Sequence, residues 1–259
     1  MSEIHSTAIV SSSAIIGNDV VIGPYSVIEG NVRIGNNCRI ASHSVIKEYT
    51  TLGDNNVVHE HVVLGGTPQD FKFSGSESFL EIGNGNVFRE GVTAHRSNSS
   101  GKKTILGNNN FLMANAHVAH DCILGNNIIM ANGVLLGGHV EIQDRAFLSG
   151  VVTVHQFCRI GTMVMLGAST RVNQDCLPYM MIDGCPGRVR GLNLVGLKRA
   201  GLNKSEISTL KQAFRTLFRM GHGLSENLAE LKAMNSEHVN GIVQFIENSE
   251  RGFAHRSRG

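Results

Sequence analysis

Twelve histidines stand in this chain of 259 residues, and four of them, His117, His120, His139 and His155, share one stretch with Asp121, Gly138 and Gln156. An imidazole is the side chain best suited to move a proton near neutral pH. A carboxylate beside it can hold its tautomer and stabilise the imidazolium. A glycine N–H with no side chain in front of it can polarise a carbonyl as its oxygen gains charge. Gathered in one place, these groups could deprotonate a hydroxyl and hold the oxyanion formed when that hydroxyl attacks an acyl carbon. They are not close in sequence: Gly138 follows His120 by 18 residues and Gln156 follows Gly138 by 18 more. The architecture has to supply the proximity.

That interval is three times a shorter one. Stepping by six from Ile4 meets Val10, Ile16, Ile22, Ile28, Ile34, Ile40, Ile46, Leu52, Val58 and Leu64. The frame resumes at Ile82, Phe88 and Ala94 and then runs without a break from Leu106 to Val172, so that only Asp70, Ser76 and Ser100 fail. Glycine often follows the aliphatic residue, as at Gly17, Gly35, Gly53, Gly107, Gly125 and Gly137. A period of six fits neither a helix nor a half-buried strand; it describes one short strand and one corner, with the aliphatic residue turned inward each time. Three such sides close a coil of 18 residues, and stacked coils pair as parallel strands about 4.8 Å apart. The expected fold is an all-β solenoid, a parallel β-helix of hexapeptide repeats over residues 1–190, followed by a C-terminal α-helical domain over 191–259. The three failures mark two loops thrown out from the prism, near 66–79 and 96–103.

In the uninterrupted stretch the 18-residue spacing acts as a ruler. It stacks His120, Gly138 and Gln156 in one outer column with a gap at the glycine, and it puts Asp121 below His139 and beside His120. Spacing alone does not decide which imidazole Asp121 serves. The same residues could instead be polar corner groups bonding along the stack, and His117 and His120 could offer nitrogen to zinc.

Composition removes other classes. The formal charge is +2, with no tryptophan, three tyrosines and eleven phenylalanines, which leaves neither a basic field nor stacking platforms for nucleic acid. The five cysteines lack CxxC spacing and read as reduced thiols of a cytoplasmic protein. No run of apolar residues reaches membrane length and the N-terminus has no export signal pattern. Past residue 203, Ile207, Leu210, Phe214 and Leu217 take helical spacing behind Asn203 and Glu206, placed as a capping box. A second helix is expected from about Ser225 and a third from Ser236, with Gly221 and Gly223 punctuating the first break.

The segments GGTPQDFK (65–72), AHR (94–96), NAHVAHDC (115–122), GGHV (137–140), VHQFCRIG (154–161) and NLVGLKR (193–199) resemble those of the UDP-N-acetylglucosamine O-acyltransferase family along the whole chain. The resemblance implies a left-handed coil, against the usual right-handed crossover, and a homotrimer with active sites in clefts between prisms. It implies transfer of an (R)-3-hydroxyacyl group from acyl carrier protein to the glucosamine 3-hydroxyl of a UDP-sugar, the first step of lipid A synthesis, with no cofactor and no metal. By the same resemblance His120 is the general base, Asp121 orients it and Gly138 supplies the oxyanion N–H. Gln69, Asp70, Lys72, His117, His139, Gln156, Asn193 and Arg199 then hold the sugar nucleotide or the acyl donor, and Ala168 sets acyl length. Val195 and Ala200 depart from the glutamate and second arginine usual there, on the nucleotide side. Lys198, Arg199, Lys204, Lys211, Arg215 and Arg219 form a basic face suited to an acidic carrier protein. The rival readings are a zinc-dependent trimer like carbonic anhydrase, and a binding trimer without catalysis.

Overall fold

The structure is a computed structural model of the chain, and it describes residues 2–218 and 222–255. Gly221, expected at the first helical break, and the basic residue Arg219 lie outside the described residues. The repeat produces strands of mostly two residues separated by turns. Among the described residues these assemble into three sheets of eleven, nine and eight strands, beginning at Glu3–Ile4, Ile9–Val10 and Ile15–Ile16 respectively. The chain visits the first, second and third sheets in turn, so each sheet is one face of a three-sided, left-handed prism. Register follows the ruler: Val118 pairs with Leu136 and Leu136 with Val154. Only the final strand, Arg188–Leu192, runs antiparallel, folding back on Met180–Asp183.

The inward repeat residues are buried from Ile22 onward, but Ile4 stays 46% exposed. Among the described residues the first strand pairs on one side only, with Val21–Ile22. A second inward position lies two residues ahead of the aliphatic one, and Val20, Cys38, Cys122 and Cys158 fill it at 0% exposure. Burial pushes the Cys122 thiol up to about 12 and that of Cys158 to about 11, so these sulfurs act as small apolar groups.

Glycines such as Gly17 and Gly107, which follow the aliphatic residue, are not where the backbone turns left-handed. The left-handed backbone falls two residues later, on Asp19, Asn37, Asn55, Asn109 and Asn127, each with φ between 55° and 60°. Those side chains tolerate that region better than most, and the N–H groups of Asn37, Asn55, Asn109 and Asn127 are each satisfied by the preceding coil, as in Asn55 N–H to Asn36 O at 2.8 Å. Glycine is required instead by close approach: a Cβ on Gly107 would lie 2.5 Å from Gly125 O in the next coil.

Both excursions, between Gly66 and Phe79 and between His95 and Lys103, leave the prism where the second sheet hands over to the third. They shift the register to Leu64 opposite Ala94 and Ala94 opposite Val118. Residues 119–122 turn the same edge one coil further on. The fold therefore collects two polar loops and the histidine-bearing corner along a single edge.

The strand region ends at Leu192, just beyond the expected boundary at 190, and a short helix not read from the sequence follows at once, α1 at Leu194–Arg199. Asn203 then caps α2, Lys204–Leu217, in a full capping box: its Oδ1 accepts from Ser205 and Glu206 N–H, and Glu206 Oε2 accepts from Asn203 N–H at 2.7 Å. Helix α3, Leu224–Lys232, starts behind Gly223, and α4, Glu237–Glu247, starts behind Ser236. The chain then returns to the prism, where Asp175 accepts from the Ser249 hydroxyl at 2.7 Å and pairs by backbone with residues 252–254.

Leu124 is 1% exposed in the middle of the stack. Leu124→Ala is expected to cost about 2–5 kcal/mol through lost transfer energy and a residual cavity, read from urea unfolding; a loss under about 1 kcal/mol would show that the repeat position does not face a packed interior.

Candidate active site

The corner that carries His120 is held from both sides. Val118 ahead of it and Cys122 behind it point into the core at 0% exposure, so the residues between them are presented outward. Asp121 takes the left-handed conformation, φ 60°, and its N–H donates to Thr104 Oγ1 at 2.7 Å. Its carboxylate then meets His120, with Oδ2 2.7 Å from Nδ1. His139 Nε2 is 3.6 Å from the same oxygen, beyond hydrogen-bond range. The question that spacing leaves open is thus answered by geometry: Asp121 serves His120. With Nδ1 bound to a carboxylate, His120 carries its proton there and offers the Nε2 lone pair outward.

The ruler's column is also present. The N–H of His139 donates to His120 O and that of Phe157 to Gly138 O, each at 3.0 Å, which puts residues 120, 138 and 156 one above another. The His120 ring lies against Gly138, where an added Cβ would come within 2.6 Å of Cε1. Any side chain at 138 would displace the imidazole. Among the described residues no group accepts the Gly138 N–H. Gln156 is exposed.

The two loops close over this edge. Asp70 Oδ2 lies 4.0 Å from His120 Nε2 and accepts from Asn98 Nδ2 at 3.0 Å, while Asp70 Oδ1 accepts from Lys72 N–H at 2.9 Å in a tight turn. Gln69 and Lys72 stand exposed on that turn. His139 stacks on Phe157 with ring centroids 4.5 Å apart and meets His120 edge to face at 5.3 Å. His117 Nδ1 bonds the Thr93 hydroxyl at 2.8 Å, and its ring packs against His95 at 4.8 Å. His155 bonds its neighbour's carbonyl, Gln156 O, at 2.9 Å and faces solvent.

Charge is arranged to keep Asp121 ionised although its side chain is only 10% exposed. Burial pushes this carboxyl up, but hydrogen bonds from Ser97, His120 and the Asn98 N–H, with the charge of His139 nearby, outweigh it and leave the group below the ordinary carboxylate range. Burial, reinforced by His120, holds the His117 ring below the usual imidazole range. Burial, with His117 and His120 beside it, drives His95 down to about 4. His95 belongs to the AHR segment but has no role in the sequence reading; its 7% exposure comes from the loop at Gly66, which is visible only in three dimensions.

The remaining residues lie elsewhere. Asn193 caps α1, its Oδ1 accepting from Gly196 N–H and its Nδ2 donating to Met163 O, each at 2.9 Å, so its polar atoms are used within the fold. Arg199 and Val195 are exposed on α1. Ala168 is exposed on the edge between the first and second sheets, not the edge that carries His120. His120, Asp121 and His139 offer one nitrogen or oxygen each within 4.8 Å of one another, one of three groups among the described residues close enough to meet a cation; the other two, His59 with Glu60 and Glu90, and His222 with Glu226 and Glu230, lie away from this edge. His117 is not part of the group at His120. A cation there would compete with the 2.7 Å bond between His120 and Asp121.

Hexapeptide coils place the chain in a class, the transferases of the hexapeptide-repeat type, whose bacterial profile matches residues 13–48 and 103–138. The profile described as Udp N-acetylglucosamine O-acyltransferase, domain 2, matches residues 175–254. An acyl-[acyl-carrier-protein]--UDP-N-acetylglucosamine O-acyltransferase of Thiobacillus denitrificans is 46% identical over 255 residues, 97% of this chain and 99% of its own. The protein of the same name in Aliarcobacter butzleri is 43% identical over 97% of this chain and 98% of its own. The crystal structure of the Francisella novicida UDP-N-acetylglucosamine acyltransferase superposes with a TM-score of 0.95 at 36% identity, covering 98% of this chain and 95% of that one. The chain belongs to the UDP-N-acetylglucosamine O-acyltransferase family.

The buried His95 ring gives a pH test. Its folded-state value near 4 lies below the ordinary imidazole value of about 6.5. The unfolded chain therefore binds the proton first, and stability contributed by the neutral ring is lost as pH falls between those values. A ring C–H titration of His95 by NMR is expected to have its midpoint near 4; a midpoint at the ordinary value would show that the pocket is open to water.

Proposed function

We propose that this enzyme transfers an (R)-3-hydroxyacyl group from acyl carrier protein to the 3-hydroxyl of UDP-N-acetylglucosamine, the first step of lipid A biosynthesis. The observation that carries the mechanism is the 2.7 Å contact between His120 Nδ1 and Asp121 Oδ2, which leaves Nε2 free beside the unpaired Gly138 N–H. His120 Nε2 takes the sugar hydroxyl proton as that oxygen bonds to the thioester carbon. The carbonyl π pair moves onto oxygen, where Gly138 N–H meets the developing charge. When the tetrahedral intermediate collapses, the C–S bond breaks and the imidazolium returns its proton to the departing thiolate. Asp121 stabilises the imidazolium throughout. Atoms balance without a cofactor or an acyl-enzyme.

Around this centre, Asp70 and Lys72 on the first loop, with Gln69, His117, His139 and Gln156, are the groups we assign to the substrates. Asn193 and Arg199 are assigned to the nucleotide, with Asn193 acting through the start of α1 whose N–H it caps. Two features support a homotrimer with the reaction between prisms. Ala168 can limit an acyl chain bound at His120 only if it comes from a neighbour or from further along a shared cleft. Apolar Ile123 and Leu135 are 46% exposed, and Phe157 48%, around the catalytic edge, as expected of surface covered in an assembly. Lys198, Arg199, Lys204, Lys211 and Arg215 are exposed on α1 and α2 and suit an acidic carrier protein. Among the described residues no helix is long and apolar enough to cross a membrane, and five free thiols, four buried and Cys185 exposed, support a cytoplasmic setting.

The cation-capable group His120, Asp121 and His139 gives the zinc-dependent reading its one specific footing. His120→Ala is expected to lower turnover on the order of 10²–10⁴-fold with circular dichroism unchanged, in protein free of zinc; retained activity excludes His120 as the base, and stoichiometric zinc whose removal abolishes activity replaces the reading with a metal enzyme. Alanine at 168 leaves room for a donor of about 12 to 14 carbons, since each excluded CH₂ forfeits ~0.8 kcal/mol. Ala168→Met is expected to move the preference to shorter donors by several-fold in kcat/KM per pair of carbons, and equal use of long donors by both proteins would remove Ala168 from that role.

A further inference from the structure

The second loop was read from sequence only as a polar excursion. In the structure its first three residues, 96–98, are built into the catalytic edge. Arg96 anchors them: it is 6% exposed, and its guanidinium lies 5.2 Å from the Tyr49 ring centre and 5.4 Å from that of Phe73 in the first loop. Ser97 is 0% exposed, so it cannot touch substrate. Its hydroxyl has one proton to give. One acceptor in reach is Ser99 O at 3.4 Å; the other is the carboxylate oxygen Asp121 Oδ1. The charge-assisted contact takes the proton, and a Ser97 lone pair then accepts Ser99 N–H at 3.1 Å. Next along, Asn98 donates its N–H to Asp121 Oδ2 at 3.1 Å and its amide to Asp70 at 3.0 Å.

The carboxylate is therefore gripped at both oxygens, from a direction His120 does not occupy. A carboxyl group turns about its terminal torsion with little resistance. Held only by His120, Asp121 could swing toward His139, whose Nε2 is 3.6 Å away. We propose that Ser97 is a positioning residue for the transfer: its hydroxyl fixes the Asp121 carboxylate so that Oδ2 stays on His120 Nδ1 and Nε2 stays the proton acceptor. This rests on His120 acting as the base in the reading above.

Five measurements test it on the full-length enzyme. Ser97→Ala is expected to lower kcat roughly tenfold, in line with loss of a hydrogen bond to a charged group, with KM for both substrates held within about twofold; a kcat equal to wild type overturns the proposal. Ser97→Thr, which keeps the hydroxyl, is expected to restore most of the rate, and Ser97→Gly, which removes it without adding bulk, to behave as alanine. In an Asp121→Ala background, Ser97→Ala is expected to have no further effect; the same loss on top of Asp121→Ala would mean that Ser97 only shapes its loop. Nitrogen-15 NMR of the substrate-free protein is expected to show His120 held as the Nδ1–H tautomer in wild type and mixed in Ser97→Ala. An unchanged tautomer would overturn the proposal even if the protein proved to catalyse another reaction, because that spectrum is independent of turnover.

Discussion

Everything at the catalytic edge depends on the parallel hydrogen bonds that stack one coil on the next. They fix residues of successive coils in register, and where no loop intervenes the register is 18 residues, as in Val118, Leu136 and Val154. A two-residue strand has little stability of its own. Its precision comes from neighbours above and below and from inward side chains packed without room to slide. Because a rigid stack supports the corner, a glycine placed one coil above His120 leaves a peptide N–H and an imidazole side by side with nothing between them.

On that scaffold the chemistry is set by which groups are left unsatisfied. Asp121 is engaged at both oxygens: Ser97, Asn98 and His120 all donate to it. His120 uses one nitrogen on Asp121 and keeps the other. The Gly138 N–H has no acceptor among the described residues. In the proposed mechanism these are the proton acceptor and the anion-stabilising donor, and loops that exclude water from the carboxylate would strengthen both. The neighbouring rings of His117 and His95 are kept neutral by burial, which avoids a second positive charge beside the imidazolium as it forms.

The prism was legible because a period of six over so many residues has one structural solution, and the His120, Gly138 and Gln156 column was legible because no excursion interrupts it. The ruler fails across the loops: Thr93 sits opposite His117, an offset of 24 residues, and Val63 opposite Thr93, an offset of 30. Ser97 and Asp70 are brought to the dyad through those offsets, which is why spacing could not find Ser97 and only the resemblance named Asp70. The antiparallel strand at Arg188–Leu192 and helix α1 are too short to carry a period of their own, and they are held by the end of the stack and by the Asn193 cap. The glycine pattern was visible, but its cause was not. A local reading sees a turn-former, whereas the constraint is a carbonyl in the next coil.

The central claim concerns where a sugar hydroxyl and an acyl carbonyl meet this edge. A crystal structure of the enzyme with its acylated sugar nucleotide tests it most directly. The account predicts the sugar 3-oxygen within about 3.2 Å of His120 Nε2 and the acyl carbonyl oxygen within about 3.1 Å of Gly138 N. A product bound along either of the other two edges, or with its ester group turned away from His120, would contradict it.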